Sequence, residues 1–269
     1  MTDRVGWEDV AGWWQAGFTE GADAEYEEQI LPLIASELEG ATRVLDIGCG
    51  EGQVARLAAG RPGVELVVGV DPTKAQVFEA ARRGGGVLIG QADAAALPFS
   101  DRSFDAAVAC LVFEHIEAMD QAIHEVGRVL RPGGCFLFLL NHPLLQTPGS
   151  GWIDDTILDE QYWRIGPYLI EDDTLEEVEK GVWIPFIHRP LSRYVNAMAA
   201  AGLYVTFMAE PAPPPGFLAR AAEYRDAATI PRLLALRAEK LEAPRAGPRS
   251  RPTPTPRIPG DSNRGEVTA

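Results

Sequence analysis

The chain has too few cysteines for a disulfide framework and too few basic residues to suit a polyanion. Its three cysteines, Cys49, Cys110 and Cys135, are odd in number and show no C-x-x-C spacing. Neither paired bridges nor a metal site is expected; reduced thiols in a cytoplasmic protein are. No apolar run approaches the roughly 20 residues that cross a bilayer, and the start Met1-Thr2-Asp3-Arg4 lacks a secretory pattern, so no membrane is expected. Lys and Arg number 24 against 39 Asp and Glu, a net charge of −15. Five of the arginines fall in residues 243–269, leaving 19 basic against 37 acidic residues before them. So acidic a body is a poor match for nucleic-acid phosphates, and small-molecule chemistry is favoured.

What is present is a buried strand ending in a carboxylate, then a glycine-rich turn, then a helix: Val44-Leu45-Asp46-Ile47-Gly48-Cys49-Gly50-Glu51-Gly52-Gln53. Glycine lets the backbone turn tightly and approach a ligand, and the N–H groups opening the helix favour an acidic group. A dinucleotide fingerprint requires G-x-G-x-x-G, whereas Gln53 stands where the last glycine belongs. Asp46 would also repel a pyrophosphate. It would attract a cationic ammonium group, which points to S-adenosylmethionine (SAM): adenosine, a sulfonium and an amino-acid zwitterion.

Later strands repeat the theme. Residues 64–71 end in Asp71, 25 positions after Asp46 and near the roughly 20-residue spacing at which an acid meets ribose hydroxyls. Residues 86–93 end in Asp93, and 103–110 form a fourth strand. An Asp after a strand is also a common helix cap, yet capping alone leaves the glycine loop unexplained.

These motifs, with Leu97-Pro98-Phe99, Phe104-Asp105 and the block from Glu125 to Gly134, resemble the class I SAM-dependent methyltransferases, close to the type 11 group, over about residues 24 to 140. The resemblance implies that Asp46, Gly48, Cys49 and Gly50 cradle the methionine end of SAM. It implies that Asp71 and Pro72 hold the ribose and one side of the adenine, and that Asp93 and Ala94 meet the base. Cys110 and Leu111 would line the floor, with His115 close to the reacting methyl. It is silent on the methyl acceptor.

Alternating strands and helices predict an α/β, Rossmann-like, doubly wound and mostly parallel sheet of seven strands, with helices on both faces. Helices are expected at 22–38, 53–59, 73–83, 118–130 and 191–201, a fifth strand at 135–140, and closing strands at 203–208 and 232–237. The last strand would be antiparallel. One domain spans 1–242, with a cap insert at about 142–190, and a disordered Pro/Arg-rich tail covers 243–269. Trp14 and Tyr26 are candidates for a lid, although core filling is the favoured reading for these N-terminal aromatics. The insert carries Trp152, Tyr162, Trp163, Tyr168, Trp183 and Phe186 as possible pocket walls. It also holds ten acids between Asp154 and Glu179, most simply a solvated face.

Methyl transfer from a sulfonium needs alignment above all, and a base only where the nucleophile must lose a proton. His115, His142 and His188 are the candidate bases. His142 and His188 rank ahead because they flank the insert, and Tyr194 ranks behind. The expected activity is transfer from SAM to oxygen or nitrogen of a small molecule. Its rivals are an NAD-dependent oxidoreductase on a similar sheet, a catalytically silent SAM-binding module, and a nucleic-acid or protein methyltransferase, with the acidic charge weighing against RNA and DNA.

Overall fold

A computed structural model describes residues 6–241. The expected tail at 243–269 lies outside the described residues. The order is α1 (Trp7–Gly17), a wide π-type turn (Tyr26–Ile30), α2 (Leu31–Glu37), β1 (Arg43–Ile47), α3 (Gln53–Ala59), β2 (Leu66–Asp71), α4 (Lys74–Arg83) and β3 (Leu88–Gln91). It continues through β4 (Phe104–Cys110), α5 (Met119–Val129), β5 (Leu130–Asn141), β6 (Gly151–Asp155), β7 (Glu160–Arg164), β8 (Asp172–Glu179) and β9 (Val182–His188). It closes with α6 (Leu191–Ala200), β10 (Leu203–Ala209), α7 (Pro215–Arg220) and β11 (Leu233–Lys240).

Seven strands form one sheet in the order β10-β11-β5-β4-β1-β2-β3, with β11 antiparallel to both of its neighbours. The continuous apolar runs of β4 and β5 have a direct cause. Successive side chains point to opposite faces, and both faces are covered. Phe136, Phe138 and Leu140 join one core with α5 and α6, while Cys135, Leu137 and Leu139 join the other with α2 and α3.

The expected helix at 22–38 divides into the π-type turn and α2. Its buried side chains Tyr26, Ile30, Ile34 and Leu38 recur every fourth residue. A regular α-helix drifts by about 40° per such step, and one wide turn takes up the drift. Helix α1 follows none of the expected elements. Asp9 caps it, its carboxylate accepting from Gly6 N–H at 3.0 Å. The residues between β5 and α6 form two separate hairpins, β6–β7 and β8–β9. No described helix is long and apolar enough to cross a membrane.

Candidate active site

Strand order reverses between β1 and β4, and at their carboxyl ends lies a cavity of about 480 Å³. Such a switch point is where doubly wound sheets bind ligands. Asp46, Gly48, Cys49, Gly50, Asp71, Pro72, Asp93, Ala94, Cys110, Leu111 and His115 all line it. Gly48 adopts φ +65°, and a Cβ there would lie 2.5 Å from Val112 Cγ2, so the turn admits no side chain.

Asp46 is 2 % exposed, and its Oδ2 has no partner among the described residues. Burial pushes its carboxyl up to about 8, reinforced by Asp71 and Glu51 and only partly offset by the Ala55 N–H. A buried acceptor with no donor fits a cationic ammonium group, which would let the carboxylate ionise.

Asp71 has a second duty. Its Oδ2 accepts from Gly50 N–H at 2.9 Å and its Oδ1 from Thr73 N–H at 2.8 Å, so it braces the glycine loop from beneath. The Gly50 amide is therefore engaged within the fold. Asp93 caps the short turn Ala94–Ala96 through Ala95 N–H at 2.8 Å while also lining the cavity. Burial raises the Cys49 and Cys110 thiols, and all three cysteines are free. Cys110 donates to the Tyr26 hydroxyl at 3.8 Å. Trp14 and Tyr26 line the cavity while packing into the core.

The three histidines separate. His115 lines the cavity; His142 and His188 do not. Leu144 N–H donates to His142 Nδ1 at 3.2 Å, so Nε2 carries the proton, 2.7 Å from Glu210 Oε1. His188 is 1 % exposed, with Nε2 donating to Tyr168 O at 2.8 Å. Tyr194 is buried in the core beside Phe138. The order expected from sequence is thus reversed, because the insert folds back over the loop after β4.

That fold-back builds the surroundings of His115. Its Nδ1 lies 2.7 Å from Pro185 O in β9, and its ring packs between Trp7 and Phe186. A carbonyl only accepts, so Nδ1 carries the hydrogen and Nε2 the lone pair. Burial lowers the ring to about 4, keeping it neutral at physiological pH. Arg189, buried at the end of the insert, donates to Phe113 O at 3.2 Å, Ile116 O at 2.9 Å and Glu117 O at 3.2 Å. It holds the histidine loop from behind.

Sequence reasoning missed Trp7 and Gln53 as cavity residues. The signal for Trp7 was the pair Glu8-Asp9 opening a helix; Gln53 was read only as a departure from a glycine pattern. The insert aromatics, expected as pocket walls, do not line the cavity. Trp152 instead stacks on Tyr224 and meets Trp163 edge-on. The aromatic wall comes from Trp7, Trp14 and Phe18 at the other end of the chain.

Residues 45–138 match the family model described as a methyltransferase domain. The chain is 34% identical over 130 residues to an O-methyltransferase of Aspergillus sclerotiorum, covering 45% of this chain and 49% of that one. It spans about half the length of the curated relatives it matches. Among solved structures, an S-adenosylmethionine-dependent methyltransferase from Mesorhizobium loti superposes with a TM-score of 0.67 at 27% identity, covering 81% of this chain and 98% of that one. A putative S-adenosylmethionine-dependent methyltransferase from Listeria monocytogenes gives a TM-score of 0.69 at 25% identity, over 83% of this chain and 100% of that one. With this sheet order, the unpartnered Asp46 beneath a glycine turn and these relatives, residues 45–138 match a methyltransferase domain within a chain that has the fold of the class I SAM-dependent methyltransferases, and SAM is the expected cofactor.

Proposed function

We propose that the chain methylates an oxygen or nitrogen of a small acceptor without negative charge, with His115 holding and then taking the acceptor's proton. The observation that carries this reading is the contact between His115 Nδ1 and Pro185 O, which leaves Nε2 as a proton acceptor beside the cavity. SAM supplies an electrophilic methyl on a sulfonium, which leaves as a neutral thioether. The residues that the motifs assign to SAM line the cavity, and His115 lines it too, with Trp7 against its ring.

Among the described residues, no Lys or Arg lines the cavity, while Asp46, Glu51, Asp71, Asp93 and Glu117 do. This field favours a cationic cofactor and disfavours a carboxylate or phosphate acceptor. Trp7, Trp14 and Phe18 offer a wall for a planar apolar body. An O–H or N–H proton becomes acidic as its atom gains a bond to carbon, so a neutral imidazole of low basicity suffices to receive it. The ring fixes the direction from which the nucleophile presents its lone pair, and orientation of this kind is worth roughly 7–11 kcal/mol. Three free buried thiols suit a reducing compartment such as the cytoplasm, and the acidic surface disfavours nucleic acid.

The test is transfer of labelled methyl from SAM into a metabolite library, read by mass spectrometry. Products one methyl heavier should arise from neutral or amine acceptors. Methylation confined to carboxylates would overturn the acceptor class. SAM binding without any transfer would favour the silent binding module.

A further inference from the structure

We infer that Gln53 recognises the carboxylate of the cofactor's amino acid, an assignment that rests on the cavity being the SAM site. Gln53 opens α3 and lines the cavity beside the glycine turn, and its Nε2 is buried without a partner among the described residues. An orphaned buried donor is costly. Across the same turn stands the opposite defect: Asp46 Oδ2, shut from solvent, with no donor. One wall lacks a cation and the other lacks an acceptor. An α-amino acid zwitterion supplies both.

Three amides of the turn are engaged. The amide of Cys49 donates to Val70 O at 3.0 Å, that of Gly50 to Asp71, and that of Gly52 to Cys49 O at 2.8 Å. The arginines behind the turn are committed to carboxylates: Arg56 to Glu51 at 2.5 Å, and Arg83 to Glu51 at 2.8 Å and Glu79 at 2.7 Å. Neither lines the cavity.

The amide is also oriented. Glu20 N–H, in the loop after α1, donates to Gln53 Oε1 at 3.2 Å. A backbone N–H only donates, so the carbonyl end faces that loop and the NH₂ end is left over. Contact with the carboxylate thereby ties the segment after α1 to cofactor binding.

The test compares binding of three probes, S-adenosylhomocysteine, decarboxylated SAM and methylthioadenosine, to the wild-type chain and to Gln53→Leu and Gln53→Glu, by calorimetry. A hydrogen bond to a charged group predicts that Gln53→Leu weakens S-adenosylhomocysteine by at least about tenfold, and Gln53→Glu by more, through repulsion. Methylthioadenosine, with no amino acid, and decarboxylated SAM, with no carboxylate, should move less than about twofold on the same scale. Their retained binding also shows that the variants are folded. Unchanged S-adenosylhomocysteine binding, or equal loss of all three probes, would overturn the assignment. A wild-type chain that binds none of them would instead overturn the cofactor site itself.

Discussion

The carbonyl of Pro185 in β9 accepts from His115 Nδ1, 2.7 Å away in the loop after β4. Seventy residues separate the two in sequence, so a strand of the insert sets the tautomer of a ring that lines the cavity. Replacing His115 by Gln is expected to lower kcat by about 10²–10⁴-fold while S-adenosylhomocysteine still binds. In the wild type, the limb carried by this ring should stay level from pH 8 to about 5 and fall through about 4, where the imidazole gains its proton. A fall through 6.5 in a pH–rate profile would show that the ring is more exposed during turnover.

Arg189 is a positioning residue for the same loop. Arg189→Ala removes the donor shared by the carbonyls of Phe113 and Ile116. Unsatisfied buried groups cost about 1–3 kcal/mol each at most, so urea unfolding should report a loss of about 2–4 kcal/mol. Arg189→Lys should restore little, because one ammonium cannot span carbonyls that a planar guanidinium fork reaches.

Asp46 should set the free protein's stability against its affinity. Its carboxyl is raised to about 8 in the fold, against about 3.9 in an unfolded chain. Between those values the native state holds more protons, so this group's contribution falls as pH rises and is fully lost above about 8. Asp46→Asn should therefore raise the melting temperature of the free protein, by more at pH 8 than at pH 5, and abolish tight S-adenosylhomocysteine binding. In the wild type, binding near pH 7 should release a proton, seen as calorimetric heats that change with the ionisation enthalpy of the buffer.

Gly48→Ala places a methyl at a positive φ and 2.5 Å from Val112 Cγ2. A loss of about 1–3 kcal/mol is expected, with cofactor affinity falling further because the turn carries Cys49 and Gly50. Equal affinity in the variant, measured by titration, would mean the turn relaxes freely.

Much of the sheet was legible because its strands are buried on both sides. Phe136 to Leu140 reads as an unbroken apolar run whichever face each residue serves, and α3, α5 and α6 ended within a residue or two of expectation. The cavity-lining residues were legible because they directly follow the strands β1, β2, β3 and β4. What escaped were choices made by distant segments. Nothing local to His115, His142 or His188 says which meets the cavity; the path of β9 decides it. Asp71 reads as a ribose ligand, and only the folded turn reveals Gly50 N–H already on its carboxylate. Helix α1 was hidden by its two glycines, and with it Trp7.

Strand β11 lies between β5 and β10, antiparallel to both. Until residues 233–240 leave the ribosome, the nascent sheet ends at β5, whose Phe138, Leu139 and Leu140 present an unprotected apolar edge. Such edges recruit foreign strands. Translation pausing ahead of this segment would leave the protein most dependent on chaperones, and a premature stop there would yield an aggregate instead of a weakened fold.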